Sequence, residues 1–193
     1  MHHFSLYDER KSAQAAAFLL YKAGGKLPIL KLVKLMYLAE RLSMRRYGDT
    51  ITGDNFVSMP HGPVLSMTLE HINDAVPSAR EGGWDSWIAD RADYTVGLKE
   101  DVHLSSPEDD LLALSETDLE CLQHTWDEFG SWDKYKLRDY THQGGCPEWE
   151  DPNGSSRPIP KSRVLRAVGF NPEQVEALSR RLHEQQYINS AFG

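Results

Sequence analysis

Cysteine is scarce in this 193-residue chain: Cys121 and Cys146 are the only two. Two thiols do not make the disulfide framework of a small secreted scaffold. Long apolar runs are missing as well, and no stretch approaches the ~18–20 residues of a membrane-spanning helix. The start, Met1-His2-His3-Phe4-Ser5, lacks the basic flank and apolar segment of a secretory leader. Neither a Walker-type phosphate loop nor the GxGxxG fingerprint occurs, and neither do HExxH or GxSxG. Internal repeats and low-complexity tracts are also missing. These absences set aside a secreted mini-protein, a membrane protein and the common nucleotide and hydrolase motifs. The cytoplasm is the expected location.

What is present is an ordinary globular composition, 40% hydrophobic and 26% charged, on a length that suits one domain spanning residues 1–193. The net charge of −8 hides an asymmetry. Residues 1–48 hold nine Lys/Arg against three Asp/Glu, or +6. Residues 49–155 hold six against 23, or −17, and residues 156–193 hold six against three, or +3. A generically basic nucleic-acid binder is excluded. The acidic middle reads either as a solvated surface or as a face that steers a basic partner.

The pattern along the chain is mainly helical. Asp8 caps an Ala-rich helix over 8–23 that Gly24-Gly25 ends. Pro28 opens a second, reaching Tyr47 with Gly48 as terminator; Leu32, Leu35, Met36, Ala39 and Leu42 form its apolar stripe. Beside them Lys34, Leu38, Arg41 and Arg45 form a mostly basic stripe, read as a solvated edge or a partner-facing ridge. Phe56–Met59 suggests a short extended piece, and Pro63 the opening of a third helix. From Trp84 to Ser105 the apolar residues alternate, which predicts two or three short antiparallel strands. Pro107–Asp110 reads as an acidic loop. Ser115 and Asp118 have capping-box spacing. Gly130-Ser131 should stop that helix and cap the next, which holds Trp132, Tyr135, Leu137 and Tyr140. Residues 143–160 read as a long loop pinned by Trp149, followed by a short helix over 161–168. Asn171-Pro172-Glu173 starts the last helix. The expected class is therefore α+β, mainly α: a compact helical domain with a small antiparallel β element of two or three short strands.

Two patterns carry potential chemistry. Cys121-x-x-His124 with His142-x-x-x-Cys146 offers a ligand set suited to tetrahedral zinc, but lacks a CxxC pair. The expectation is no metal, no cofactor and no enzymatic role, with a Cys146 nucleophile paired to His142 as the alternative.

Three stretches together resemble a known family. Lys31-Leu32-Val33-Lys34-Leu35-Met36-Tyr37-Leu38-Ala39-Glu40 is similar to the KLxKLxYLA helix of the Panacea domain, found in SocA-like antitoxins. Gly53-Asp54 and Met59-Pro60-His61-Gly62-Pro63-Val64 follow as the GPV turn. Leu137–His142 with Pro147-Glu148-Trp149 resembles the third signature. The likeness covers about residues 10–185, with Trp84–Asp110 as a β insert outside it. It implies an antitoxin that neutralises a cognate protein toxin by direct binding; an adaptor that delivers the toxin to a AAA+ protease is the alternative. Nucleic acid is not an expected partner. The motif residues are Lys34, Leu35, Tyr37, Gly62, Pro63, Val64, His142 and Trp149, with Leu35 expected in the core and Tyr37 half in it. Gly62-Pro63 should fix the way into a helix, and His142 and Trp149 should clip the long loop to the body. The expected partner-contact residues are Lys34, Arg41, Arg45, Glu108, Asp109 and Asp110.

Overall fold

Nine consecutive residues, Leu32 to Glu40, are buried in one helix, α2 (Ile29–Tyr47). A helix covered on all sides is a core helix, and the remaining elements are arranged around it. In this computed structural model, which describes residues 6–192, the stretch Met1–Ser5 read above for a leader lies outside the described residues. Helix α1 (Glu9–Lys22) packs on α2, and its small side chains Ala13 and Ala15–Ala17 are all buried. Asp8 caps α1 by accepting the Lys11 N–H at 3.1 Å, and Gly48, at φ +64°, ends α2 in a left-handed turn.

Two small antiparallel sheets flank the helices. One pairs β1 (Lys26–Pro28) with β4 (Thr95–Gly97). The other has the order β3 (Gly62–Leu65), β2 (Phe56–Met59), β5 (Arg157–Ile159). Between them come α3 (Ser66–Ile72), α4 (Trp84–Trp87) and α5 (Pro107–Asp110). The chain continues through α6 (Glu116–Phe129), α7 (Lys134–His142), α8 (Lys161–Ala167) and α9 (Pro172–Phe192). The mainly helical α+β class is as expected, with 53% helix and 11% strand. The capping box of α6 forms with Ser115 and Asp118, and the Asn171 side chain accepts the Gln174 N–H at 2.9 Å to start α9.

Several local expectations are corrected. Pro63 lies in a strand, not at a helix start: β3 is an edge strand, where a residue without an N–H is tolerated. The alternation over 84–105 is realised only in part: Trp84–Trp87 is a single helical turn, the antiparallel pairing within the segment is limited to the bridges Ile88–Leu98 and Ala92–Thr95, and Thr95–Gly97 also pairs with the distant β1. The alternating residues Ile88 and Val96 reach the core this way. Residues 107–110 form a turn of helix, because Pro107 suits a first helical position and Asp110 Oδ2 accepts the Ser105 and Ser106 N–H groups. Asp133, not Ser131, caps α7, leaving Trp132 outside the helix and packed between Phe129 and Tyr140. The long loop is shortened at its end by β5, which pairs with β2.

Two buried carboxylates hold the turn between α2 and β2. Glu40 accepts the N–H groups of Ile51 and Thr52 at 2.6 and 2.7 Å and also the Thr52 hydroxyl. Asp54, fully buried, caps α3 by accepting the Met67 N–H at 2.9 Å, the Thr68 N–H at 2.8 Å and the Thr68 hydroxyl at 2.8 Å. Removing it strands buried donors at a helix end. Asp54→Ala should therefore cost about 2–3 kcal/mol. Urea unfolding checks this; wild-type stability would mean that the cap contributes nothing.

Candidate functional site

The three motif stretches lie far apart in sequence and meet at one buried polar cluster. Helix α2 supplies Lys34, Tyr37 and Arg41 from one face, at the i, i+3, i+7 spacing that aligns side chains along a helix. Strand β3 supplies Gly62 and Pro63, the end of α7 supplies Thr141 and His142, and the following turn supplies Cys146, Glu148 and Trp149.

Glu148 is the centre, with 1% of its surface exposed. Its Oε1 accepts the Tyr37 hydroxyl at 2.7 Å and the Arg41 Nε–H at 2.7 Å. Its Oε2 is buried and has no hydrogen-bond partner among the described residues. Tyr37 is itself fully buried, and burial followed by the neighbouring Glu148 charge raises its hydroxyl pKa well above the ordinary value. Arg41 keeps its side chain 18% exposed, so the ion pair meets solvent on one side only.

Lys34 is fully buried, and its ammonium group donates to Pro63 O at 2.8 Å. Burial pushes its pKa down from 10.5 to about 7, against a smaller opposing influence from Cys146. Gly62 sits directly over it. A Cβ there would lie 2.9 Å from Lys34 Nζ and 2.8 Å from Thr141 Oγ1, and the φ of +98° disfavours any side chain. The GPV turn thus needs its glycine for close approach and for conformation together.

Trp149 clips the following segment to the body: its indole N–H donates to Met59 O at 3.0 Å, and its ring meets His142 edge-on at 5.4 Å. The His142 Nδ1 lies 2.5 Å from Arg138 O, which makes that nitrogen the donor. Cys146 is 2% exposed, and burial, then the Glu148 charge, pushes its thiol up to about 12. Cys121 lies in α6 and is also pushed up by burial, to about 11. Among the described residues no group of three or more His, Cys, Asp or Glu is placed to hold a metal ion.

The family model described as "Antitoxin SocA-like, Panacea domain" matches residues 32–150. The chain belongs to this Panacea-domain family. The matched stretch begins in α2, ends just beyond Trp149, and spans the Trp84–Asp110 segment. Searches of curated proteins and of solved structures give no match.

With this geometry six of the Panacea motif residues, Lys34, Leu35, Tyr37, Gly62, Pro63 and Val64, are buried, and His142 and Trp149 are half-buried. Leu35 and Tyr37 are both fully buried, so Tyr37 lies deeper than its expected half-core position. The basic stripe of α2 is solvated only at its end, at Arg45; at Lys34, Leu38 and Arg41 it turns into the protein. Lys34 has no exposed surface to offer a partner, and Arg41 is committed to Glu148. Burial is tolerated because Pro63 O accepts from Lys34 Nζ and the Glu148 carboxylate pairs with Arg41. Arg45, Glu108 and Asp109 are exposed and Asp110 half-buried, so their surfaces reach solvent. Glu108 and Asp110 already hydrogen-bond to Ser106. Sequence reasoning overlooked Glu148. Its signal is a carboxylate fixed between Pro147 and Trp149 in the third signature, with Arg41 one helical turn from Tyr37 just past the first.

Folding favours neutral Lys34. The unfolded chain binds more protons between the folded value near 7 and the unfolded value of 10.5. Stability contributed by this residue therefore rises as pH rises from about 7 toward 10. Between about pH 7 and pH 9 the wild type should gain about 2 kcal/mol relative to Lys34→Met. Urea unfolding of both proteins at the two pH values measures this. An identical pH dependence would mean that Lys34 is not held neutral.

Proposed function

We propose that this Panacea-domain protein is an antitoxin that binds a cognate protein toxin directly and neutralises it in the cytoplasm. The observation that carries the reading is the match of residues 32–150 to the SocA-like antitoxin family. The interior position of the motif residues supports it: Lys34, Tyr37 and Glu148 build a scaffold, which leaves recognition to surfaces around it. The arrangement also disfavours the alternative of a His142–Cys146 enzyme. A buried thiol pushed up to about 12 holds almost no thiolate at neutral pH. Arg45 and the α5 carboxylates of Glu108, Asp109 and Asp110 remain proposed rim contacts, whose charges tune association rate more than the lifetime of the complex.

The test is co-expression with the product of the adjacent open reading frame, in hosts with and without the cytoplasmic AAA+ proteases. Growth arrest by that product alone, relieved by this protein in both hosts, is the expected result, together with co-purification of the two. Relief that needs the protease would assign the adaptor role instead. An adjacent product that is harmless, or that is neither bound nor counteracted, would contradict the antitoxin reading.

A further inference from the structure

On the surface beside the buried cluster lies a groove of about 530 Å³. Its floor is apolar: Ile29 and Val33 from the start of α2, Met59 and Val64 from the β2–β3 hairpin. Gly62 and Lys34 lie at its base, so the motif cluster forms the foundation of the groove. Two tyrosines stand on its rim, Tyr94 at 78% exposure and Tyr135 at 54%. They are two of the six exposed large hydrophobic side chains among the described residues, and both flank this one groove.

The charge of the groove runs against that of the chain. None of its lining residues carries a carboxylate, although the whole chain has a net charge of −8. Its charged rim is Arg91 and Lys134, joined by the imidazole of His61. The Arg91 guanidinium is held by neutral acceptors, Asn73 Oδ1 at 2.5 Å and Asp93 O at 2.9 Å. Lys134 Nζ lies over the Tyr135 ring, 5.1 Å from its centroid. Neither cation is paired with a carboxylate among the described ion pairs. Both are positioned without a carboxylate in direct contact. Backbone geometry fixes the rim further, since the Ile29 N–H donates to Tyr94 O at 2.9 Å.

We propose that this groove is the docking site for a segment of the partner protein that carries an apolar side chain next to an aspartate, a glutamate or a C-terminal carboxylate. The apolar side chain fills the floor between Val33, Met59 and Val64, and the carboxylate meets Arg91 and Lys134. Exposed Tyr and Arg around an apolar depression are the residue types that dominate binding energy at protein interfaces. The proposal rests on the antitoxin reading, because that reading supplies a protein as the occupant. It assigns the recognition surface to a cationic groove and leaves the acidic residues of α5 to steering. A single-stranded nucleic acid would also meet cations and aromatic rings, but the continuous aliphatic floor offers no partner for its phosphates or sugar hydroxyls.

The test uses the full chain, the product of the adjacent open reading frame, and two rim variants, Tyr94→Ala/Tyr135→Ala and Arg91→Glu/Lys134→Glu. All four positions keep their side chains at or near the surface, so melting temperatures should stay at the wild-type value and confirm folding. Each variant should bind the toxin at least about tenfold more weakly and lose protection in the co-expression assay. Overlapping synthetic peptides spanning the toxin should include one with an apolar residue beside a carboxylate that competes with the toxin for the wild type. Wild-type protection with unimpaired variants would overturn the groove while leaving the antitoxin reading in place. Absence of wild-type binding and protection would overturn both. Binding of a twelve-nucleotide single-stranded RNA that is lost in Arg91→Glu/Lys134→Glu, with toxin binding unchanged, would overturn the proposal in favour of nucleic acid.

Discussion

The Glu148 carboxylate is buried, and a buried carboxylate must be paired or it destabilises the fold by several kcal/mol. The pairing comes from a helix more than a hundred positions earlier, through Tyr37 Oη and Arg41 Nε at 2.7 Å each. This one requirement sets the relation of α2 to the turn after α7. Once these are fixed, Trp149 can reach Met59 O, Gly62 can close over Lys34, and the β2–β3 hairpin is held against the central helix. The polar cluster acts as a register device: apolar packing alone would let α2 slide against its neighbours, whereas directional bonds to one carboxylate would not.

The same cluster explains how a family motif can be distinct from a recognition surface. Lys34, Tyr37 and Glu148 are buried and Arg41, His142 and Trp149 half-buried, so most of the cluster is closed to direct contact. They instead form the base beneath a groove whose rim residues, Arg91, Tyr94, Lys134 and Tyr135, lie outside the motifs.

Much of this was legible in the sequence, for local reasons. The helices α1, α2, α6 and α9 were readable because caps and terminators sit beside strong helical periodicity: Asp8, Gly48, Ser115 with Asp118, and Asn171. The pairing of β1 with β4 was not readable, since it joins residues about seventy apart and each strand is only three residues long. The Pro63 strand was hidden because proline suits both a helix start and an edge strand, and only the sheet order decides between them. At the site, the motif positions were visible but their burial was not. Lys34 and Arg41 read as surface residues because lysine and arginine ordinarily are, and no spacing rule shows that a carbonyl and a carboxylate from elsewhere will receive them.

The central claim is that Tyr37 and Glu148 are energetically coupled and that this coupling holds the motif segments together. A double-mutant cycle with Tyr37→Phe and Glu148→Met, followed by urea unfolding at neutral pH, tests it most directly. The account predicts that the two single changes are non-additive by about 1–3 kcal/mol, because the loss of either partner already breaks the bond. Additivity within about 0.3–0.5 kcal/mol would contradict it, by showing that the two residues stabilise the fold independently.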